Sequence, residues 1–198
     1  MLRPMSIDTA ELTRQWCRSW PQCPPIGHLF RHRMHDRWVR FHTLPLGKRY
    51  PTDDGERHEL LTRYNTVLGA VLDECGCGAI YLVTVEYGAG DLASGTEPIH
   101  VGLHPGAAPW MHAVDPDDPE VSYDLKVSRG QFAPGSLDDL LRYVADDRTS
   151  EVVITDTSLR WLFHPYDGGM DVIAPSLAER DRLAARFSTW LSDRPDGL

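Results

Sequence analysis

Three short apolar runs follow one another near the C-terminal end, with no room for a helix between them. They are Glu151–Thr155, Leu159–His164 and Met170–Ala174. Asp156, Thr157 and Ser158 supply one turn, and Asp167, Gly168 and Gly169 the other, with positive φ expected at both glycines. Parallel neighbours would need a crossover of about a dozen residues or more. The runs therefore read as antiparallel hairpins. The expected class is α+β: a mostly antiparallel sheet, helices packed mainly on one face, and C-terminal β-hairpins followed by a helix.

The remaining elements agree with that class. Leu60, Leu61, Tyr64, Val67, Leu68, Val71, Leu72 and Cys75 recur at helical spacing, which predicts a helix over 54–75. Asp53 and Glu56 stand at capping-box spacing, and Gly76 and Gly78 stop it. Leu12, Trp16 and Trp20 predict a helix over 8–20 that ends at Pro21, and a short helix could start at Pro25. Strands are expected at Trp38–Thr43, Ala79–Tyr87 and Val121–Val127, with another near Trp110–Val114. Helices are expected over 136–145, capped by Ser136 and Asp139, and over 176–191, capped by Ser176 and Glu179. Residues 88–119 are rich in Gly and Pro and read as a long loop or insertion. The whole, residues 1–198, reads as one α+β domain.

Charge narrows the partners. The chain has 20 basic and 29 acidic residues, a net charge of −9, which argues against nucleic acid and anionic membranes. Six of the basic residues (Arg31, Arg33, Arg37, Arg40, Lys48 and Arg49) lie within 31–49, opposed only by Asp36. The chain is a basic strip on an acidic body. Its first residues turn polar at once, with no apolar core of a secretory signal, so the expected location is the cytoplasm. Cys17, Cys23, Cys75 and Cys77 would be reduced thiols there.

Familiar chemistries find little support. Gly88, Gly90 and Ala93 match the dinucleotide fingerprint formally, but Ser94, Gly95 and Pro98 follow where the phosphate-binding helix should start. There is no phosphate-binding Gly-x-x-x-x-Gly-Lys loop and no Gly-x-Ser-x-Gly elbow. Cys17 and Cys23 lie too far apart, and Cys75 and Cys77 too close, for the usual zinc pairs. His28, His32 and His35 would share a helix face, but they also read as solvated histidines in the basic strip. No cofactor and no metal is expected.

Two segments are denser. In a regular strand Arg40 and His42 point to one face, opposite Val39 and Phe41, and together suit a carboxylate or phosphate. Asp171, set among Met170, Val172 and Ile173, is costly unless satisfied and is a natural partner for Arg40. The candidate catalytic residues are His42, His164, Asp167 and Asp171; the candidate ligand-binding residues are Arg40, Lys48, Arg49 and Tyr166. A plain hairpin with ion pairs accounts for the same residues.

The stretch Arg37–Tyr50, the stretch Tyr64–Leu68 and the stretch Trp161–Val172 together resemble a bacterial family of uncharacterised domains. Its members pair an early Trp-x-Arg-Phe motif with a late Tyr-Asp hairpin and a final helix carrying Trp-Leu. The similarity runs from about Ile26 to Leu191. It implies bacterial origin and that the two dense segments belong together, and it implies no activity. Small acidic proteins of this kind are often immunity-like partners, which is analogy alone. The leading expectation is thus a non-enzymatic protein-binding domain, immunity-like or regulatory, with the 88–119 loop as a contact surface. The alternative is an enzyme or binding domain for an anionic small molecule, using Arg40, His42, Arg49 and the hairpin His164–Asp171.

Overall fold

The computed structural model describes residues 6–21, 23–76, 78–87, 102–192 and 194. Its centre is a seven-stranded sheet in which every neighbouring pair is antiparallel. The strands are β1 (Trp38–His42), β2 (Ala79–Tyr87), β3 (Ala108–Val114), β4 (Ser122–Gln131), β5 (Val153–Asp156), β6 (Leu162–Tyr166) and β7 (Gly169–Ile173). Their order is β1-β7-β6-β5-β2-β4-β3. The C-terminal hairpins therefore form the middle of one half of the sheet, and β1 adds to its edge.

Five α-helices cover the two faces: α1 (Thr9–Ser19), α2 (Leu29–Arg33), α3 (Asp54–Cys75), α4 (Asp138–Ala145) and α5 (Leu177–Arg186). Alternation along the strands decides which face each residue serves. Val39, Phe41, Ile80, Leu82, Ile154, Phe163, Met170 and Val172 join α3, α4 and α5 in the larger core. Trp38, Val83, Val85, Leu125, Val127, Val153, Leu162 and Ile173 face the other way and join α1 and α2. The three larger contributors thus sit on one face, and two N-terminal helices close part of the second. The rest of that second face, at the β1-β7-β6 end, is polar.

Local chemistry sets most boundaries. Asp8 accepts from the Glu11 N–H, Asp53 from Glu56 and Ser176 from Glu179, so three helices start at their expected caps. Gly76 ends α3 in the left-handed region. Helix α4 starts later than expected, at Asp138, because the Ser136 hydroxyl instead accepts from the Ala133 N–H. The final helix stops at Arg186, and Ser188–Trp190 continues as a 3-10 turn. Strand β4 runs four residues past its expected end, since β2 offers a nine-residue partner and pairs Ala79 with Gln131. Strands β5 and β6 shift towards the C-terminus for a different reason. The buried carboxylate of Asp156 accepts the N–H groups of Ser158, Arg160 and Trp161, so these residues belong to a turn. The β6–β7 turn needs one left-handed glycine, Gly168 at φ 89°, and Gly169 lies in the strand.

Candidate functional site

The polar end of the second face is built row by row. Arg40 pairs with Asp171 across β1–β7, and Asp171 pairs with His164 across β7–β6. Three polar residues from distant sequence positions therefore stand side by side and point the same way. The next row on that face is His42, Gly169 and Tyr166. Gly169 has a strand conformation, so it is not there for a turn. A Cβ at this position would overlap the Tyr166 hydroxyl and approach the Phe41 carbonyl oxygen to 2.9 Å. The missing side chain lets the Tyr166 ring lie close to the sheet, 4.9 Å from the Arg40 guanidinium carbon.

Arg40 and Asp171 form a bidentate pair, Nε to Oδ1 at 2.8 Å and Nη2 to Oδ2 at 3.0 Å. The side chains are 19% and 5% exposed. Burial pulls the Arg40 pKa down, but the hydrogen bond and charge of Asp171 more than offset it, and the net shift is upward. The Tyr166 pKa is raised, first by burial and then by the Asp171 charge. Trp38 flanks the same guanidinium at 5.3 Å.

A cavity of about 330 Å³ opens over this row. The sheet supplies Arg40, His164, Tyr166 and Asp171, α2 with its N-cap supplies His28, Arg31 and His32, and Ser150 and Glu151 close the side. His164 holds its Nδ1 against the Val152 carbonyl oxygen at 2.9 Å, so Nδ1 carries a proton and Nε2 is the atom left for a ligand. The His164 ring packs so tightly under Gly27 that a Cβ there would overlap it. Leu29 and Phe30 are buried beneath α2, which fixes Arg31 and His32 above the cavity.

Arg31 reaches the His32 ring at 3.3 Å, and among the described residues no carboxylate pairs with it. The two carboxylates in the wall are already neutralised. Asp171 belongs to Arg40. Glu151 takes the His28 backbone N–H at 3.1 Å and its Nδ1 at 3.0 Å. Burial raises the Glu151 pKa, but the contacts with His28 and the charge of His164 outweigh it, and the group stays below its ordinary value. Glu151 also holds a left-handed backbone, φ 57°, a strained conformation for a residue with a side chain.

Sequence reasoning placed four of its eight candidates here: Arg40, His164, Tyr166 and Asp171. The other four lie elsewhere. The His42 ring packs 3.6 Å from a Cβ position at Gly47 and lines a separate cleft with Leu44, Arg63 and Trp190. Asp167 pairs with Arg49 and takes the Tyr50 hydroxyl at 2.8 Å, which ties the hairpin tip to the segment after β1. Lys48 pairs with Glu56 at the start of α3. His28, Arg31, His32 and Glu151 were not foreseen as one group. His28 lies 123 residues from Glu151, and no local pattern joins them. His35 stacks on Trp38, apart from the other two histidines of its spacing pattern.

Of the cysteines, Cys23 is buried, which pushes its thiol up to about 12, and Cys17 is exposed. The Cys75 side chain and Cys77 lie outside the described residues, as does the segment Gly88–Ala93. Among the described residues no three His, Cys, Asp or Glu side chains converge as metal ligands, and no helix is long and apolar enough to cross a membrane.

A family model described as "Domain of unknown function (DUF3885)" matches residues 26–195. No curated protein and no solved structure matches the chain. The match spans most of the chain and includes every residue of the cavity.

Proposed function

The chain belongs to the DUF3885 family of uncharacterised domains, and from that premise we propose that it is a binding domain for a small anionic molecule, a carboxylate or phosphate held between α2 and the β1-β7-β6 end of the sheet. One observation carries the reading. A single cavity gathers Arg31, His32, Arg40 and His164, and the two carboxylates among its described lining residues are engaged, Asp171 by Arg40 and Glu151 by His28. A ligand carboxylate or phosphate would meet Arg31 as its strongest attraction, the Nη1 edge of Arg40 beside it, and the histidines as adjustable donors.

Acid–base catalysis has less support. Asp171 is held by Arg40 on both oxygens, and His28 has a carboxylate on each ring nitrogen. A second reading, a non-enzymatic protein-binding domain of the immunity or regulatory kind, is favoured by a separate feature. Leu46 stands 103% exposed in a left-handed conformation, beside a cleft of about 670 Å³. In either reading the chain works as a single α+β domain in the cytoplasm of a bacterium.

The test is a titration with inorganic phosphate, and separately with succinate, followed by the ring signals of His28, His32 and His164. Saturable shifts with a Kd below about 10 mM, weakened about tenfold by Arg31→Ala, are the expected result. Absence of saturation in that range, or an unchanged Kd in the variant, would remove the reading.

A further inference from the structure

We infer that His28 is a pH-released latch that holds α2 down as the roof of the anion cavity. The role proposed for the cavity rests on the anion-binding reading; the latch itself rests on the contacts of His28 and does not depend on that reading.

Helix α2 has five residues, too few to be stable by itself. Its position is set from outside, by Leu29 and Phe30 buried beneath it and by polar contacts at both ends. At the start, His28 bridges two elements: Nδ1 lies 3.0 Å from Glu151 Oε1, just before β5, and Nε2 lies 3.0 Å from Asp115 Oδ2, just after β3. At the far end, Arg33 pairs with Asp117 at 2.6 Å. Asp115 in turn accepts the Asp117 N–H, so one loop receives both ends of the helix. The acids are mostly buried, with side chains 7% and 11% exposed, whereas His28 is 43% exposed. The strained backbone of Glu151 adds a second sign that its carboxylate is held in place for this contact.

A bridge of this kind needs both ring nitrogens to donate, and only the cationic imidazole does so. Glu151 and Asp115 face it from two sides. The Tyr123 ring of β4 lies 6.3 Å away, Arg31 and His32 follow one turn on, and His164 of β6 acts on Glu151 from below. The hydrogen bond to Glu151, followed by the charges of both carboxylates, outweighs burial and raises the His28 pKa above 6.5. The latch is closed below that raised pKa. Above the raised pKa the neutral ring donates to one carboxylate and turns a lone pair on the other. Glu151 keeps the backbone N–H of His28, so Asp115 is the contact that is lost. The start of α2 then loosens over its buried Leu29 and Phe30, and Arg31 and His32 are held less firmly at the cavity.

The experiment measures hydrogen exchange of residues 29–34 against pH, corrected for intrinsic exchange, with no anion present, beside an NMR titration of His28. The expected result is a fall in protection of about tenfold, with its midpoint at the His28 pKa and that pKa above 6.5. In His28→Gln the protection below pH 6.5 falls by the same factor and no midpoint remains. In Asp115→Asn, the variant to rely on if His28→Gln does not fold, the His28 pKa and the exchange midpoint move down together. Protection of α2 that ignores the His28 titration, or a His28 pKa at or below 6.5, would overturn the latch. Phosphate binding is measured apart from this. A working latch without phosphate binding removes the ligand reading alone, and phosphate binding under an unresponsive α2 removes the latch alone.

Discussion

Replacing Arg40 with alanine separates a buried ion pair from a surface one. The substitution removes both hydrogen bonds to Asp171 and the guanidinium between Trp38 and Tyr166. It leaves a carboxylate 5% exposed that has lost its bidentate partner. Stranding one member of a buried pair costs about 3–5 kcal/mol, and the partial exposure of Arg40 puts this case at about 3. For a chain of this size that is a fall in Tm of roughly 6–12 °C. Asp171→Ala should cost less, about 2 kcal/mol, because the cation it strands is the better solvated partner, 19% exposed.

The decisive measurement is the double-mutant cycle, by urea unfolding at pH 7. If the pair is one unit, the second substitution adds little to the first, and the coupling is about 2 kcal/mol. The apolar double variant Arg40→Met with Asp171→Leu should regain most of the lost stability. A cost below about 1 kcal/mol for Arg40→Ala would mean that the pair behaves as a surface salt bridge. The row Arg40-Asp171-His164 would then not be the rigid floor assigned to the cavity.

Further expectations concern the scaffold of the site. Asp156→Ala strands the N–H groups of Ser158, Arg160 and Trp161 and should cost about 3 kcal/mol, with loss of exchange protection at Trp161. Gly169→Ala meets the Phe41 carbonyl oxygen and should cost about 1–3 kcal/mol in urea, while also displacing Tyr166, read by its fluorescence or ring signals. Stability against pH follows from His28, whose folded pKa is raised. Its contribution is complete below 6.5, the value assigned to the unfolded chain, and is lost as pH rises through the folded value. Urea midpoints measured at alkaline pH should therefore fall in the native chain and stay flat in His28→Gln. Glu56 acts with the opposite sign. Its pKa is lowered to about 2 by Lys48 and Thr52, so its contribution is present above about 4.5 and is lost as pH falls towards 2. In Glu56→Gln that acid-side loss should be absent, and melts between those limits check it.

The fold was legible where one local rule decides an element alone. The length and face of α3 follow from apolar spacing between Asp53 and Gly76, and neither end needs a tertiary partner to be understood. Strand β2 was equally plain from its β-branched and aromatic run. Boundaries shifted where a side chain or a neighbouring strand intervened. Asp156 takes up three backbone donors that a strand would otherwise have used. Strand β4 extends through Ser128 and Gly130, which have little strand preference of their own, because β2 is there to pair with them. The 5-residue α2 has no periodicity to read, and what keeps it in place is tertiary: Leu29 and Phe30 beneath it and the contacts of His28 and Arg33 at its ends.

The site was half legible for a related reason. Arg40 and Asp171 betray each other in the sequence, since a charged residue inside an apolar strand demands a partner and an antiparallel edge pairing supplies one. That argument works for residues on strands, where alternation fixes direction. It fails for Arg49 and Lys48, which leave the strand before they find Asp167 and Glu56 and so neutralise themselves outside the cavity. It fails again for His28, Glu151 and Asp115, whose meeting depends on the close approach at Gly27, a strained backbone at 151 and a loop 87 residues from His28. The basic strip therefore divides into two kinds of charge. Most of it pairs with the protein's own acids: Arg33 with Asp117, Arg40 with Asp171, Lys48 with Glu56 and Arg49 with Asp167. Arg31 is the member of the cavity wall to which no described carboxylate answers, and the anion-binding reading depends more on that side chain than on the motif that first drew attention to the segment.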